Sequence, residues 1–249
     1  TLLTDLPADG TRFRSVLDIM AADRVLFNIL LSDLNTTSPQ AISAAKASLM
    51  GLIRSGAQEA SEEAGIGEQP LRPSKILSEV HHFKTGILFQ SPWSIPSIFE
   101  STPKTVSLKL QSALYRIGMG CQILDDLVNV QSDIEKRRHN YVVSLAWHGD
   151  SCKEHQLIAQ ACSKPQHKKL SVASEIPLAA SRASTTAMDM LQKGLETLFT
   201  GQNAFLVPIV ANYLAKLIRA DEIISDIPPN ISLQPLNIEI PTKRCQCSL

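Results

Sequence analysis

The feature that most constrains the fold is a long helical pattern without proline, which runs from Lys104 to about Asp133. It covers about eight turns of α-helix, and a proline inside it would remove a hydrogen bond and break the helix. Shorter segments on both sides repeat apolar residues at three- and four-residue steps, and none alternates as a β-hairpin does. We therefore predict an all-α protein, a single helical bundle. The other predicted helices cover residues 13–34, 41–64, 74–88, 142–147, 152–162, 183–199 and 204–219.

Residues 1–220 are predicted to form one helical domain, because a single bundle needs no boundary and the sequence shows no internal repeat. Residues 221–249 contain four prolines and little periodicity, so we predict an irregular C-terminal tail there. The chain begins with Thr1 rather than Met, and we expect N-terminal helices of the same protein to precede it.

Composition and charge narrow the classes of function. Lys plus Arg and Asp plus Glu each number 24 among 249 residues, so the formal charge is zero, which argues against a strongly basic nucleic-acid-binding protein. The five cysteines form neither a disulfide framework nor a CxxC…CxxC zinc site, which favours a reducing, cytoplasmic location. No apolar run approaches the roughly 20 residues that span a bilayer, and the start does not have the pattern of a signal peptide.

A stripe of polar side chains lies within the long predicted helix. At 100° per residue, its members fall within about 60° of a common direction, while the other faces of the segment are apolar. A helix that is apolar on most sides is buried, and buried carboxylates are costly unless a cation compensates them. Mg²⁺ with oxygen ligands is one such cation, and the alternative is an acidic stripe that faces solvent on an amphipathic helix. The stripe consists of Gln122, Asp125, Asp126, Asn129 and Asp133.

Two groups of basic residues could serve a negatively charged ligand. Lys136–His139 follows the acidic stripe directly and would place phosphate-binding cations a turn or two from metal ligands. The plainer interpretation is that these cations favour the dipole at a helix C-terminus. Lys84 lies in an otherwise apolar helix, where it either points into the bundle as a phosphate-binding charge or reaches the surface along its alkyl stem. The nearby His81 and His82 face different directions on a helix and are not expected to share a metal ion.

The acidic stripe resembles a motif of the trans-isoprenyl diphosphate synthases, the polyprenyl synthetase family of the class I isoprenoid synthase fold. The second aspartate-rich motif of that family is G-x-x-x-Q-x-x-D-D-x-x-D. Gly118, Gln122, Asp125 and Asp126 match it here, and Asn129 replaces its last Asp. The resemblance implies a helical bundle of the isoprenoid synthase type.

Two further motifs extend the resemblance. Lys84–Leu88, with the sequence KTGIL, is similar to the family's K-T-[AG]-x-L in the helix before the acidic pair. Asp133–Asn140 is similar to D-L-x-x-G-K-x-T, with Arg138 at the lysine and Asn140 at the threonine. The family's first D-D-x-x-D motif does not occur in the sequence. We expect it upstream, unless this member works without it.

The resemblance implies a Mg²⁺-dependent prenyltransferase of isoprenoid biosynthesis, which condenses an allylic prenyl diphosphate with isopentenyl diphosphate and acts as a homodimer. Mg²⁺ and basic side chains would stabilise the departing diphosphate. The alkene of isopentenyl diphosphate would then attack the allylic cation, and a proton would be lost. The residues to which the resemblance assigns these roles are, for the metal, Asp125, Asp126, Asn129 and Asp133, and, for the diphosphate and the cation, Lys84, Thr85, Gln122 and Arg138.

Other classes of protein remain open. The same fold could perform terpene cyclisation, or the head-to-head coupling of squalene and phytoene synthases, whose D-x-x-x-D element is similar to Asn129 with Asp133. A non-catalytic subunit of a heteromeric prenyl diphosphate synthase would account for Asn129 and for the absent first motif. An unrelated helical bundle is the remaining alternative.

Overall fold

The computed structural model describes positions 39 and 43 and residues 50–58, 69–94, 103–163 and 170–228. Within these ranges the chain is almost entirely helical and contains no β-strand, which confirms the predicted all-α fold class. The predicted helix at residues 13–34 lies outside the described residues, as does the end of the chain from residue 229.

The helices of the described ranges are labelled here in chain order. The second is continuous but changes its hydrogen-bond pattern along its length. They are α1 at residues 50–58; α2, made of Pro73–Lys75, the π-helical Ile76–Gly86, Ile87–Gln90 and the 3-10 turn Ser91–Ser94; α3 at Lys104–Glu135; α4 at Tyr141–His148; α5 at Cys152–Ser163; α6 at Val172–Glu175; α7 at Pro177–Leu198; α8 at Leu206–Leu217; and α9 at Asp221–Asp226.

The helix α3 lies at the centre of the described bundle. Every residue from Ile117 to Leu127 is buried, so neighbours cover this part of the helix on all sides. The closest neighbour is α7, where glycines allow the two backbones to touch. A Cβ on Gly120 would lie 2.8 Å from the carbonyl oxygen of Ala187, and one on Gly194 would lie 2.8 Å from that of Ala113. Any side chain at either glycine would push the two helices apart.

The helix α2 packs on another side of α3 and contains an unusual π-helical stretch. Its last turn shows the five-residue spacing of that structure, because the N–H of Ile87 donates to the carbonyl oxygen of His82. Such turns are rare and usually single, and they occur often at functional sites. Gly86 lies against the ring of Tyr115 on α3, too close for a Cβ. The π-helical stretch is thus held tightly against the central helix.

The helix α7 begins at Pro177, earlier than the predicted start at Ala183. Proline is tolerated in the first turn of a helix, because its missing N–H would have no partner there. The next two N–H groups are capped from α5, where the buried Glu154 carboxylate accepts Leu178 N–H at 2.7 Å and Ala179 N–H at 3.1 Å. A cap that comes from a different helix leaves no local signal in the sequence.

One short helix lies where the sequence predicts an irregular tail. It is α9, which carries Asp221 and Glu222 in its first turn, where acidic side chains are favoured by the helix dipole. Ile223 and Ile224 pack against the hydrophobic core. Residues 221–226 are therefore helical and not irregular as predicted.

Two helices end in an arginine with a left-handed backbone. Arg137 follows α3 with φ 51°, and Arg219 follows α8 with φ 65°. After α3, Arg138 N–H donates to the carbonyl oxygen of Asp133 at 2.8 Å, which is the long bond of a Schellman motif. Glycine is the usual residue at this position, since an L side chain is strained there.

Two further features concern hydrophobic helix length and the cysteines. None of the described helices has the length and apolar character of a membrane span. Three cysteines lie in the described ranges, and all are free thiols: Cys121, Cys152 and Cys162.

Candidate functional site

Burial decides between the two interpretations of the acidic stripe. Gln122, Asp125 and Asp126 are all buried, whereas Asn129 and Asp133 are half-buried. A stripe that faced solvent would be exposed along its length. The stripe instead lies inside the bundle, and its charges need compensation.

The helices α2 and α3 are joined by a hydrogen bond between two residues that the sequence analysis selected. Thr85 Oγ1 donates to Gln122 Oε1 at 2.6 Å, across 37 positions of sequence. Both side chains are buried, so each satisfies a polar group that would otherwise lack a partner. The K-T-G segment of α2 and the Q-x-x-D-D segment of α3 therefore face each other.

Gln122 uses the other end of its amide to hold the two adjacent carboxylates. Its Nε2 donates to Asp126 Oδ1 at 3.0 Å and to Asp125 Oδ2 at 3.4 Å. Because Oε1 accepts the Thr85 proton, only one orientation of the amide satisfies all of these contacts. Gln122 thus fixes both aspartates relative to α2.

Asp126 is only 2% exposed, and donors surround its carboxylate. Its Oδ2 accepts the backbone N–H of Tyr141, the first residue of α4, at 2.6 Å. His81 Nε2 lies 3.0 Å from the same oxygen. Burial acts to raise the pKa of Asp126. His81, Lys84 and the Tyr141 N–H outweigh burial and hold that pKa below its ordinary value.

Asp125 has the opposite electrostatic character to its neighbour. Its Oδ1 accepts Nδ2 of Asn129, one turn further along α3, at 3.0 Å. Burial raises the pKa of Asp125, the charge of Asp126 raises it further, and Lys84 opposes both. The net pKa lies above the ordinary value. A carboxylate in these surroundings gains from a nearby cation.

Asp133 and Asn140 link the end of α3 to the start of α4. Asn140 Nδ2 donates to Asp133 Oδ2 and to the backbone carbonyl oxygen of Asp126, both at 2.8 Å. Asn140 Oδ1 caps α4 by accepting two N–H groups of its first turn, at 2.9 and 3.1 Å. Burial and the charge of Asp126 raise the pKa of Asp133 to about 7, against the opposing effects of Asn140 and Lys84.

Lys84 acts on all three carboxylates of the stripe. Its charge lowers the pKa of Asp125, Asp126 and Asp133, so the ammonium group lies within electrostatic reach of each. The side chain is half-buried and adjoins Thr85 in the π-helical stretch. The Lys84 ammonium group could therefore contact an anion that binds at the stripe.

The loop between α3 and α4 carries the basic run Lys136–His139, called the basic loop below. Lys136 and Arg137 are exposed, and Arg138 and His139 are half-buried. Arg138 reaches the stripe through its backbone N–H, which donates to the Asp133 carbonyl oxygen. Its guanidinium forms no ion pair with a carboxylate in the part of the chain that the structure describes. The structure thus joins most of the selected residues directly and connects Arg138 to them through its backbone.

The stripe offers an incomplete set of oxygen ligands for a metal ion. Within the described ranges, no group of three or more His, Cys, Asp or Glu side chains could hold one. All three carboxylates accept donors from the protein, but Asp126 also accepts a backbone N–H, and the raised pKa values of Asp125 and Asp133 are of the kind that a cation lowers. Mg²⁺ commonly takes one or two carboxylates and completes its shell with phosphate oxygens and water. The residues fit a cation that binds together with a phosphate ligand, and they do not fit a cage made by protein alone.

Sequence reasoning missed the role of His81. The two adjacent histidines do face different directions, since His81 lies beside Asp126 while His82 Nδ1 lies 3.0 Å from the Tyr115 hydroxyl. His81 precedes Thr85 by four positions, which places both on one face of a helix. That spacing is the signal that could have added His81 to the site.

No protein-family model matches this sequence, and neither a curated protein nor a solved structure matches it. The resemblance to the isoprenyl diphosphate synthases therefore stays a prediction that rests on the motifs themselves.

Proposed function

We propose that the chain is a Mg²⁺-dependent prenyltransferase that condenses an allylic prenyl diphosphate with isopentenyl diphosphate. The observation that carries this proposal is the hydrogen bond between Thr85 and Gln122, because it joins the two motifs on which the resemblance rests. Beside that bond, the carboxylate stripe and Lys84 supply charges of both signs, which a diphosphate bound with a cation requires. A homodimer in the cytoplasm belongs to the same proposal.

The residues of the site have distinct tasks in this function. Lys84 and Arg138 bind the diphosphate group of the allylic substrate, while Asp125, Asn129 and Asp133 provide oxygen atoms for the cation. Mg²⁺ bound by these residues would supply positive charge that stabilises diphosphate as a leaving group. Gln122 holds the carboxylates in place, and the apolar faces of the surrounding helices exclude water that would quench a carbocation.

The direct test uses the full-length protein with Mg²⁺, labelled isopentenyl diphosphate and allylic primers of several lengths. We expect a longer prenyl diphosphate and one pyrophosphate for each condensation. If no primer yields a longer product, the proposal is wrong. Release of pyrophosphate without isopentenyl diphosphate would instead indicate cyclisation or head-to-head coupling.

Asp125→Ala tests the site within this function. We expect the rate to fall on the order of 10²-fold or more, by analogy with the loss of one preorganised transition-state contact. Stability without ligands should be unchanged or higher, because the variant relieves repulsion between adjacent carboxylates. The exposed Asp226 provides the control Asp226→Ala, which should leave the rate unchanged. Thermal melts with Mg²⁺ and an unreactive prenyl diphosphate analogue measure binding. A full ligand-induced stabilisation in Asp125→Ala would remove Asp125 from the site.

A non-catalytic subunit is the second candidate, and the contact between Asn129 and Asp125 favours it. The Asn129 side-chain amide donates a hydrogen bond to the Asp125 carboxylate, which a cation would otherwise contact. Such a subunit would show no turnover alone and would co-purify with an active synthase. Asn129→Asp separates the two candidates, because it restores the last acid of the motif. In a catalytic protein we expect it to lower the Mg²⁺ concentration needed for half-maximal rate, and a non-catalytic subunit would stay inactive.

A further inference from the structure

The carboxylate of Asp126 serves the backbone of another helix. Tyr141 is the first residue of α4, and its N–H has no acceptor within that helix. Asp126 Oδ2 accepts this N–H at 2.6 Å, while Oδ1 accepts Nε2 of Gln122 at 3.0 Å. Both oxygens are therefore committed to donors inside the bundle.

The Asn140 side chain makes a second connection between the start of α4 and α3. From the position just before α4, its Nδ2 donates to the carbonyl oxygen of Asp126 and to the carboxylate of Asp133, both at 2.8 Å. Asp126 thus accepts one hydrogen bond from the Tyr141 backbone at its carboxylate and one from the Asn140 side chain at its carbonyl oxygen. We call this pair of contacts the α3–α4 lock.

The lock and the cap made by Asn140 Oδ1 together give the N–H groups of the first turn of α4 their acceptors. Asp126 accepts Tyr141 N–H, and Asn140 Oδ1 accepts those of Val142 and Val143. The lock also closes the basic loop, whose other end is held by the bond from Arg138 N–H to the Asp133 carbonyl oxygen.

We infer that Asp126 anchors α4 and the basic loop to α3 and is not a ligand of the metal ion. A cation on Asp126 would displace the Tyr141 N–H and leave a buried donor without an acceptor, which is costly. The part of the inference that concerns the metal rests on the proposed function. Within the adjacent pair the cation then binds Asp125, whose two oxygens accept the side-chain amides of Gln122 and Asn129.

Amide hydrogen exchange of the metal-free protein tests the anchor at single residues. Asp126→Ala should speed exchange of the Tyr141 N–H about 10- to 100-fold, the equivalent of one hydrogen bond to a charged group, and should leave Val142 and Val143 near their original rates. Asn140→Ala should speed exchange of the Val142 and Val143 N–H groups and leave that of Tyr141 near its original rate. The matched control is Asp125→Ala on the same turn of α3, which should change none of the three. Equal acceleration of all three amides by Asp126→Ala, or none at Tyr141, would overturn the inference.

Asp126→Asn provides a second variant that keeps an oxygen for Tyr141 N–H if the alanine variant does not fold. Its melting temperature in Mg²⁺ with inorganic diphosphate is compared with that of Asp125→Asn. We expect the ligand-induced rise of the wild type to persist in Asp126→Asn and to disappear in Asp125→Asn, and the opposite result would make Asp126 the ligand. A wild type that shows no rise would count against the proposed function, while the exchange rates would still decide the anchor.

Discussion

Replacement of Asp133 by Asn is expected to stabilise the protein at pH 8 and to leave its stability at pH 4 unchanged. Burial and the charge of Asp126 raise the pKa of Asp133 from 3.8 to about 7 in the folded chain. Between these pH values the folded state keeps a proton that the unfolded state has lost, so the stability of the wild type falls as pH rises. Below this range both states hold the proton, and above it both have lost it. The loss of stability caused by ionised Asp133 is therefore absent at the acid end of this pH range and complete at its alkaline end.

The size of the effect follows from the same two pKa values. The difference between the two pKa values sets an upper limit of about 4 kcal/mol on the destabilisation by the ionised Asp133, since each unit of pKa is worth about 1.4 kcal/mol. Asp133 is half-buried, and solvent screens part of that energy. The amide introduced by Asp133→Asn would keep an oxygen as acceptor for the Asn140 side chain. We expect a gain of about 1–2 kcal/mol in the free energy of unfolding at pH 8.

Urea denaturation of the wild type and of Asp133→Asn between pH 4 and pH 8 measures this gain through the transition midpoint. The control is Asp226→Asn, since Asp226 is exposed at the end of α9 and its substitution should show little pH dependence. A gain of equal size at all pH values, or a loss at pH 8, would refute the electrostatic reasoning.

The remaining predictions concern the framework of the bundle, and urea denaturation measures all of them. Arg219→Gly should raise the free energy of unfolding by about 1 kcal/mol, because glycine has no strain at φ 65°, whereas Lys216→Gly inside α8 should lower it by a similar amount. Gly194→Ala should cost about 1–3 kcal/mol through its clash with a carbonyl oxygen of α3, while Lys193→Ala on the exposed side of α7 should change little. Glu154→Ala should cost about 1–3 kcal/mol, since it leaves two N–H groups of α7 without acceptors. Unchanged stability in Gly194→Ala or Glu154→Ala would contradict the packing and the cap, respectively.

The sequence was informative wherever one helix determines its own structure. The start of α3 at Lys104 follows from the proline-free run after Pro103, and the burial of the Gln122–Asp126 segment follows from the apolar residues on the other faces of the same helix. The placement of Thr85 and Gln122 in one site was predicted only through motif resemblance, because periodicity cannot tell which helix faces which.

The sequence was uninformative where one helix completes another. The start of α7 depends on a carboxylate of α5, and the partners of Asp126 include a backbone N–H of α4. Backbone donors carry no residue-type signal, so a metal role and an anchoring role for Asp126 are indistinguishable in the sequence. The π-helical stretch at Ile76–Gly86 is likewise indistinguishable from an α-helix in the sequence, since its apolar residues also suit an α-helix.

The π-helical stretch of α2 and the regular helix α3 should respond in opposite ways to the loss of one residue during evolution. A π turn bonds residues five apart, so a deletion between Ile76 and Gly86 allows the neighbours to form ordinary α-helical bonds. A deletion in α3 before Gln122 would instead rotate the whole stripe by about 100° relative to the preceding part of the helix. Related sequences should therefore tolerate a change of length in α2 and keep the length of α3 ahead of Gln122.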